Sequence, residues 1–287
     1  MSVPAASWRF DAIGTTWRID TSSPLDETAR GRIGALVDSF DRSWSRFRED
    51  STVTVLSRGG EAPAPPDAAA MLDAYVVLDA ATSGAVNPLV GEALARRGYD
   101  AAYSFDDRGA VPAPAHWLDL LRWDDGVLHA EAGVSVDVGA LGKGRLVDLV
   151  LDAVLPYAGE AAVVDAGGDL RVRGTTQRIA LEHPYDTSRA IGVWTLSEGA
   201  LCASAVNRRA WGEGLHHVLD ARTGVPVRQY AATWAVAPDA MTADAVATAL
   251  FFDGGPSLAA DWGAEWVRMR TDGSVEWSPR SEAELFL

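Results

Sequence analysis

Residues 136–148 read VDVGALGKGRLVD, a strand-like alternation that runs through glycines into the start of an amphipathic helix. Lys143, inside the Gly-Lys-Gly step, is the only lysine in the 287-residue chain. Backbone amides bared by glycine, a helix start and a compact ammonium charge together suit a phosphate. A strand-to-helix turn with an incidental exposed lysine is the alternative, because a Gly-Lys-Gly motif alone is a weak signal.

Helical periodicity and capping residues predict the helices on both sides of this segment. The N-terminal helix is predicted to begin with Ser23 as its cap and Pro24 in its first turn, and to keep one apolar face as far as Trp44. After Gly144, apolar residues recur at helical spacing until Pro156 ends the helix. Further helices are predicted over residues 67–82, 89–97 and 240–252.

Short apolar or alternating runs between turn residues predict strands in most of the remaining chain. Hairpins are expected about residues 124–126 and 272–273, and residues 61–66 are predicted to form a proline-rich loop. Because helices stand among many short strands, we predict an α+β fold with mixed, largely antiparallel sheets and packed helices. The predicted strands cover residues 8–20 with a break at 14–16, 118–123, 127–131, 161–166, 170–173, 179–182, 191–196, 217–220, 232–237, 266–270 and 275–277.

The composition is that of an acidic globular protein with ample core material. Hydrophobic residues make up 48% of the chain, and the formal net charge is −15. This charge argues against a nucleic-acid partner or an anionic membrane surface. A phosphate-bearing ligand would need local neutralisation by Lys143, by arginines or by a metal. Cys202 is the sole cysteine, which excludes an intrachain disulfide.

The sequence shows no targeting segment and no domain boundary. Residues 1–10 lack the features of a signal peptide and a lipid-attachment cysteine, and no apolar run reaches membrane-spanning length. We therefore expect a cytoplasmic protein without membrane insertion. No repeat, linker or composition break appears, so we expect one domain over residues 1–287, completed by a C-terminal hairpin within residues 256–287.

Asp244 and Thr248 form the first candidate site outside the opening segment. Four residues apart on a predicted helix, they share a face among small apolar residues. A buried aspartate costs free energy unless it is paired, hydrogen-bonded or bound to metal. A carboxylate and a hydroxyl suit Mg²⁺ shared with substrate phosphates. The alternative is an ion pair with an arginine while Thr248 bonds back to its own helix.

Two adjacent histidines precede a Thr-Gly turn. His217 suits a general base, but it equally suits a core histidine bonded to a backbone carbonyl. His216 would point to the opposite face of a strand, where an exposed or structural role is expected.

A further turn, the Asp-Ala-Gly-Gly-Asp of residues 165–169, joins two predicted strands. Its paired glycines permit close backbone approach by a ligand or by a packed strand. Asp165 and Asp169 could order this turn without meeting a ligand.

Taken in order, these segments resemble the ApbE family, the FAD:protein FMN transferases. The resemblance covers about residues 8–255 and rests on several landmarks in the family's order rather than on one decisive motif. The landmarks are residues 14–16, 45–51, 87–91, 137–148, 165–169, 216–224 and 243–248.

The resemblance implies an α+β fold with a nucleotide cleft between its lobes, and an enzyme that binds FAD and Mg²⁺. Such an enzyme moves FMN to a serine or threonine hydroxyl of a target protein and releases AMP. The implied base is His217, and the implied metal ligands are the carbonyl of Ala140 with Asp244 and Thr248. The implied FAD contacts are Ile13, Phe47, Ala85, Val86, Asn87, Asp137, Lys143 and Val218.

The chemistry of the candidate residues agrees with this implied reaction. Attack on a pyrophosphate phosphorus depends mainly on charge neutralisation and in-line positioning. Mg²⁺ on Asp244 and Thr248 would supply that charge together with Lys143, and a histidine would accept the hydroxyl proton. Two alternatives remain, an FAD pyrophosphatase giving FMN and AMP and a catalytically silent flavin-binding protein, although a pure binder has no need of a base.

Several positions depart from the family's usual pattern. Ile13 replaces a methionine, Phe47 replaces an aromatic hydroxyl, Asn87 replaces an aspartate and Leu89 replaces a threonine. Ala-Ser-Ala at residues 203–205 stands where Thr-Ser-Gly is usual. The metal and base residues are intact, so metal and pyrophosphate chemistry is better supported than the identity of the dinucleotide. The lack of an export signal is a further departure.

Overall fold

The computed structural model describes residues 5–286. Within them the helices are α1 (Glu27–Trp44), α2 (Thr52–Leu56), α3 (Ala68–Ala81), α4 (Gly91–Arg96), α5 (Gly142–Val154), α6 (Ala240–Ala249) and α7 (Gly255–Asp261), with a 3-10 turn at Trp117–Asp119. The strands are β1 (Ala6–Ala12), β2 (Thr15–Thr21), β3 (Gly60–Pro63), β4 (Leu121–Asp124), β5 (Val127–Ala130), β6 (Ala162–Asp165), β7 (Asp169–Arg173), β8 (Gln177–His183), β9 (Asp186–Leu196), β10 (Gly199–Ala205), β11 (Ala210–Trp211), β12 (Leu215–His216), β13 (Leu219–Asp220), β14 (Val225–Pro226), β15 (Tyr230–Ala237), β16 (Glu265–Arg270), β17 (Val275–Trp277) and β18 (Glu284–Leu285).

An eight-stranded sheet forms the centre of the fold. Its strand order is β1-β2-β6-β7-β10-β15-β16-β17, and each neighbouring pair is antiparallel. A three-stranded sheet, β18-β9-β8, and another, β3-β5-β4, flank it. The predicted α+β fold with largely antiparallel sheets is therefore confirmed. The predicted C-terminal hairpin is present as β16 and β17 at one edge of the central sheet.

Inner strands of the central sheet such as β6 and β15 are buried on both faces, which explains why they are apolar at consecutive positions. Val164 and Ala235 face the core formed with α1, α5 and α6. Their neighbours Val163 and Trp234 face a second core that contains Leu181 of β8. Period-two alternation thus assigns adjacent side chains to two different cores.

The first helix begins later than predicted. Asp26 is its N-cap and accepts a hydrogen bond from Ala29 N at 2.7 Å, so the helix starts at Glu27. The prediction of Ser23 as cap was wrong, because the Ser23 amide bonds to the Ala158 carbonyl at 3.2 Å and holds this segment outside the helix. The end at Trp44 is confirmed.

Three further predictions need correction. The helix after Pro238 ends at Ala249 rather than at Phe252. The proline-rich loop contains β3, whose backbone pairs with β5. Residues 217–220 do not form one strand, because β12 ends at His216 and β13 begins at Leu219. The interruption leaves His217 outside regular pairing, in a bend between two short hairpins.

Candidate functional site

A cavity of about 860 Å³ opens beside the central sheet, a volume typical of small-molecule sites. Its walls come from the β1–β2 turn, the end of α1, the segment before α5, the β10–β13 region and α6. Every residue predicted for catalysis, FAD contact or metal binding lines this one cavity. These residues are Ile13, Phe47, Ala85, Val86, Asn87, Asp137, Ala140, Lys143, His217, Val218, Asp244 and Thr248.

Gly144 allows α5 and α6 to pack in close contact at the cavity floor, the part of the cavity lined by Lys143, Asp244 and Thr248. A Cβ at this position would overlap the Ala240 carbonyl, and it would lie 2.7 Å from Asp244 Cβ. Gly144 N donates to Asp244 Oδ2 at 2.8 Å. The helix-start amide that the sequence suggested for a phosphate is therefore occupied by a carboxylate, and this glycine serves helix packing.

Asp148 fixes the start of α6 against α5. Its Oδ1 accepts from Ala240 N at 2.8 Å, and its Oδ2 accepts from Met241 N at 3.0 Å. Arg171 of β7 pairs with the same carboxylate at 2.8 Å. These bonds satisfy amides at a helix start that has no intrahelical partners. They also set the depth at which Asp244 enters the cavity.

Lys143 lies in the first turn of α5 and forms an ion pair with Asp169 Oδ2. Burial lowers the pKa of Lys143, but the charges of Asp169 and Asp244 outweigh this effect and raise its pKa above the ordinary value. Burial raises the pKa of Asp244 well above its usual range, and the charge of Asp169 raises it further. One ammonium thus faces two buried carboxylates, which leaves the cavity floor short of positive charge.

The predicted metal ligands fit a Mg²⁺ ion. Thr248 Oγ1 donates to the Ala140 carbonyl at 3.2 Å, so two of the three predicted oxygens already converge. Neighbouring oxygens around octahedral Mg²⁺ lie about 3 Å apart, since each Mg–O bond is about 2.1 Å. Among residues 5–286 no three His, Cys, Asp or Glu side chains gather as a metal site. Asp244 is the one carboxylate among the three predicted ligands, and few carboxylates are typical of Mg²⁺ shared with a phosphate substrate.

The two adjacent histidines have different environments. His216 is buried and its Nε2 lies 2.9 Å from the Val227 carbonyl, so it is the core histidine bonded to a carbonyl. His217 lines the cavity, and its buried Nδ1 has no hydrogen-bond partner in the described part of the chain. Burial and the charge of Arg209 lower the pKa of His217 to about 3, so its ring is neutral at physiological pH.

Asp137 is engaged by the protein itself. Its Oδ2 pairs with Arg46 Nε at 2.5 Å, and its Oδ1 accepts from Gly139 N at 2.8 Å. Burial raises the pKa of Asp137, but the charge of Arg46 outweighs that effect, so the carboxyl stays ionised with a pKa below its usual value. Arg46 Nη2 remains buried without a hydrogen-bond partner among residues 5–286. The pair therefore leaves one donor available at the cavity wall.

Phe47 shares its aromatic surface with neighbouring side chains. Tyr103 stacks on it at 5.2 Å between ring centroids with an interplanar angle of 4°, and Arg46 Cζ lies 4.2 Å from the ring centroid. Tyr103 also lines the cavity and is 46% exposed. Tyr103 and Arg46 thus occupy aromatic surface of Phe47, and Tyr103 presents a partly exposed ring of its own at the cavity.

Ile13 lies at a turn with an unusual backbone conformation. Asn87 lies at a turn that its own side chain holds by hydrogen bonds. Ile13 has φ 44°, which costs a β-branched residue about 1–2 kcal/mol. Asn87 Oδ1 accepts from Leu89 N at 2.8 Å, and its Nδ2 donates to the Pro114 carbonyl at 2.9 Å. The Asn87 amide therefore holds the wall formed by residues 85–87, and its carbonyl oxygen can still accept a second hydrogen bond.

Sequence reasoning missed four residues of this site: Arg46, Tyr103, Asp169 and Arg209. Arg46 lies inside a segment that the sequence had singled out, but nothing in the local pattern indicated its ion pair. The sequence left open whether Asp165 and Asp169 only order their turn, and Asp165 does so by accepting from Gly167 N at 3.0 Å. Asp169 instead has no solvent exposure and pairs with Lys143, which lines the cavity.

Comparison with known proteins gives relatives over nearly the whole chain. A FAD:protein FMN transferase of Rhodobacter capsulatus is 27% identical over 98% of this chain and 58% of its own length. A protein of the same name from Treponema pallidum is 28% identical over 83% of this chain and 76% of its own length. The chain thus spans less than two thirds of the Rhodobacter relative.

Solved structures share the fold. The crystal structure of the ApbE protein of Thermotoga maritima has a TM-score of 0.80 at 25% identity, covering 96% of this chain and 97% of that chain. The flavin transferase ApbE from Vibrio cholerae has a TM-score of 0.77 at 21% identity with the same coverage, a likeness of fold alone. A profile of the ApbE family matches residues 13–268, which confirms the resemblance inferred from the sequence. The chain therefore belongs to the ApbE family.

Proposed function

We propose that this protein transfers the FMN part of FAD to a serine or threonine hydroxyl of another protein, with Mg²⁺, and releases AMP. The names of the relatives support flavin transfer. The observation that carries the proposal is the shared cavity. His217, with an unpartnered Nδ1 among residues 5–286, lines the same cavity as Asp244 and the paired oxygens of Thr248 and Ala140.

In the proposed reaction the acceptor hydroxyl oxygen attacks the phosphorus of the FMN half. A new P–O bond forms, and the P–O bond to the AMP half breaks. His217 takes the hydroxyl proton, while the bonding electron pair leaves with AMP as a phosphate monoester. Because the low pKa of His217 keeps its ring neutral, the ring can accept this proton without first losing one.

The cavity floor would hold the pyrophosphate. Asp244, Thr248 Oγ1 and the Ala140 carbonyl would bind Mg²⁺, which when bound supplies positive charge to the phosphate oxygens. Lys143 balances the buried charge of Asp169, so this second carboxylate does not add its full repulsion to the phosphates. Asp148 keeps α6 in place while the substrate binds.

The proposal is tested by incubating the protein with FAD, Mg²⁺ and candidate acceptor proteins that are encoded beside its gene. We expect an acceptor to gain the mass of an FMN phosphoester on a serine or threonine, with an equal amount of AMP released. Chelation of Mg²⁺ by EDTA should stop both products. Free FMN and AMP with unmodified acceptors would instead show a pyrophosphatase, and unchanged FAD would show a binding protein; either result overturns the proposal.

A further inference from the structure

Arg209 lies directly beside His217 at the cavity wall. It ends the turn between β10 and β11, and its carbonyl accepts from His217 N at 3.2 Å. Its guanidinium carbon lies 5.9 Å from the ring centroid of Tyr99, and its side chain lines the cavity. The hairpin formed by β11 and β12 thus carries a cation and the proposed base side by side.

Arg209 differs from the other cations around the cavity by having no carboxylate partner. Among the ion pairs of residues 5–286, none involves Arg209. Each of the other cations is paired: Arg46 with Asp137 at 2.5 Å, Arg48 with Asp50 at 2.9 Å, Lys143 with Asp169 and Arg208 with Glu182 at 3.1 Å. In a chain with a net charge of −15, an unpaired guanidinium in a cavity indicates a place for an anion that the protein itself does not supply.

The charge of Arg209 acts on both walls of the site. It lowers the pKa of Asp137 before α5, although burial and the charge of Arg46 are larger influences on that carboxyl. It is also the largest influence after burial on the low pKa of His217. Arg209 thus shares the cavity with both groups, as its place in the cavity lining also shows.

We propose that Arg209 binds the phosphate groups of the dinucleotide next to His217. This inference rests on the proposed function, because it takes a pyrophosphate ester as the ligand. A guanidinium presents its N–H donors as a planar fork that matches two phosphate oxygens. Arg209 would therefore hold the phosphates on the cavity wall that also carries the base.

Phosphate binding at Arg209 would also activate the base. A bound phosphate offsets the positive charge beside His217 and so removes one cause of its weak basicity. The ring would become a stronger proton acceptor only when the substrate is in place. In the free protein the His217 ring would stay neutral and would be a weak proton acceptor.

Binding measurements without any acceptor protein test this role. Calorimetry would compare FAD with riboflavin, which has the same ring system but no phosphate. We expect Arg209→Gln to weaken FAD binding about ten- to a hundredfold, the range for hydrogen bonds to charged groups, and to leave riboflavin binding unaltered. Arg209→Lys should recover part of the FAD affinity, which also shows that the loss does not come from misfolding.

Arg208→Gln is the matched control. This adjacent arginine is exposed and already paired with Glu182, so its loss should leave both affinities unaltered. The inference is overturned if Arg209→Gln weakens FAD and riboflavin equally, if it weakens neither, or if Arg208→Gln loses as much FAD affinity as Arg209→Gln.

Proton titration of His217 by NMR gives a second and independent measurement. In ligand-free protein the pKa of His217 should rise in Arg209→Gln, where His216 and Lys143 still act on the ring. An unaltered pKa would contradict the proposed link. Neither measurement depends on turnover. A selective loss of FAD affinity therefore supports phosphate binding by Arg209 even if no acceptor protein is modified. Normal FAD affinity in an Arg209→Gln protein that still transfers FMN would overturn this inference alone.

Discussion

Lys143 and Asp169 form an ion pair that joins the first turn of α5 to the start of β7. Asp169 has no solvent exposure, whereas Lys143 is 23% exposed toward the cavity. The only lysine of the chain thus neutralises a carboxylate that could not otherwise be buried in ionised form. Its position beside the proposed phosphate site follows from this pairing.

Lys143→Met should lower the free energy of unfolding by about 3 kcal/mol, because it leaves Asp169 buried without its partner. Adding Asp169→Asn to this variant should recover part of the lost free energy of unfolding, because the uncompensated charge is removed. Urea denaturation at neutral pH measures both effects. Arg178→Gln, which breaks an exposed pair with Glu284, should cost less than about 1 kcal/mol. Equal losses at both sites would contradict the prediction.

Gly144→Ala should lower the free energy of unfolding by about 1–3 kcal/mol, because the added methyl group would overlap the Ala240 carbonyl. Gly31→Ala is the matched control on the exposed face of α1, where a Cβ meets no atom within 4 Å. There the same substitution should stabilise the protein by about 1 kcal/mol, the helix-propensity difference. Thermal unfolding followed by circular dichroism measures both changes, and a stable Gly144→Ala protein would refute the packing role.

His217→Ala should slow FMN transfer about 10²–10⁴-fold, the usual contribution of a general base, while FAD still binds. His216→Ala should instead cost about 1 kcal/mol of stability through the lost contact with Val227 and retain the transfer rate. Acceptor modification measured over time by mass spectrometry gives the rates. Nearly normal transfer by His217→Ala would remove it from the proposed mechanism.

Mg²⁺ should stabilise the protein against heat. At a concentration one hundred times its dissociation constant, a ligand that binds only the folded state adds about 2.7 kcal/mol, or about 5 °C in Tm for a chain of this size. Asp244→Asn should abolish this shift. Asp152→Asn, which alters an exposed carboxylate on α5, should retain it. A full Mg²⁺ shift in Asp244→Asn would disprove the ligand assignment.

Acid should weaken the fold partly through His217. Burial and the charges of Arg209, His216 and Lys143 hold its folded pKa at about 3, below its value of about 6.5 in an unfolded chain. Between these values the unfolded state binds the proton more tightly, so the free energy of unfolding falls as the pH falls. His217→Gln should therefore lose less stability than the wild type between pH 7 and pH 4. Urea titrations at pH 7 and pH 4 measure the free energy of unfolding of both proteins. An identical loss of stability in the two proteins would contradict the low pKa of His217.

Local sequence patterns predicted the elements whose signals lie within a few residues. The α3 helix was expected over 67–82 and occupies Ala68–Ala81, because apolar spacing and the flanking turn residues are local properties. The β16–β17 hairpin was found for the same reason, since its turn follows from residues 272–273. The start of α1 was missed because a bond from the Ser23 amide to distant Ala158 keeps Ser23 outside the helix, and Asp26 caps it instead.

Every residue that the sequence assigned to the site lines one cavity, whereas Arg46, Tyr103 and Arg209 of that cavity were not recognised. Only the tertiary structure decided their partners. Gly144 N bonds to Asp244 across 100 residues, and Lys143 in the first turn of α5 pairs with Asp169 at the start of β7. Charge and hydrogen bonding act through space rather than along the chain, so no periodicity could show that Arg209 alone lacks a carboxylate among the cavity's described cations.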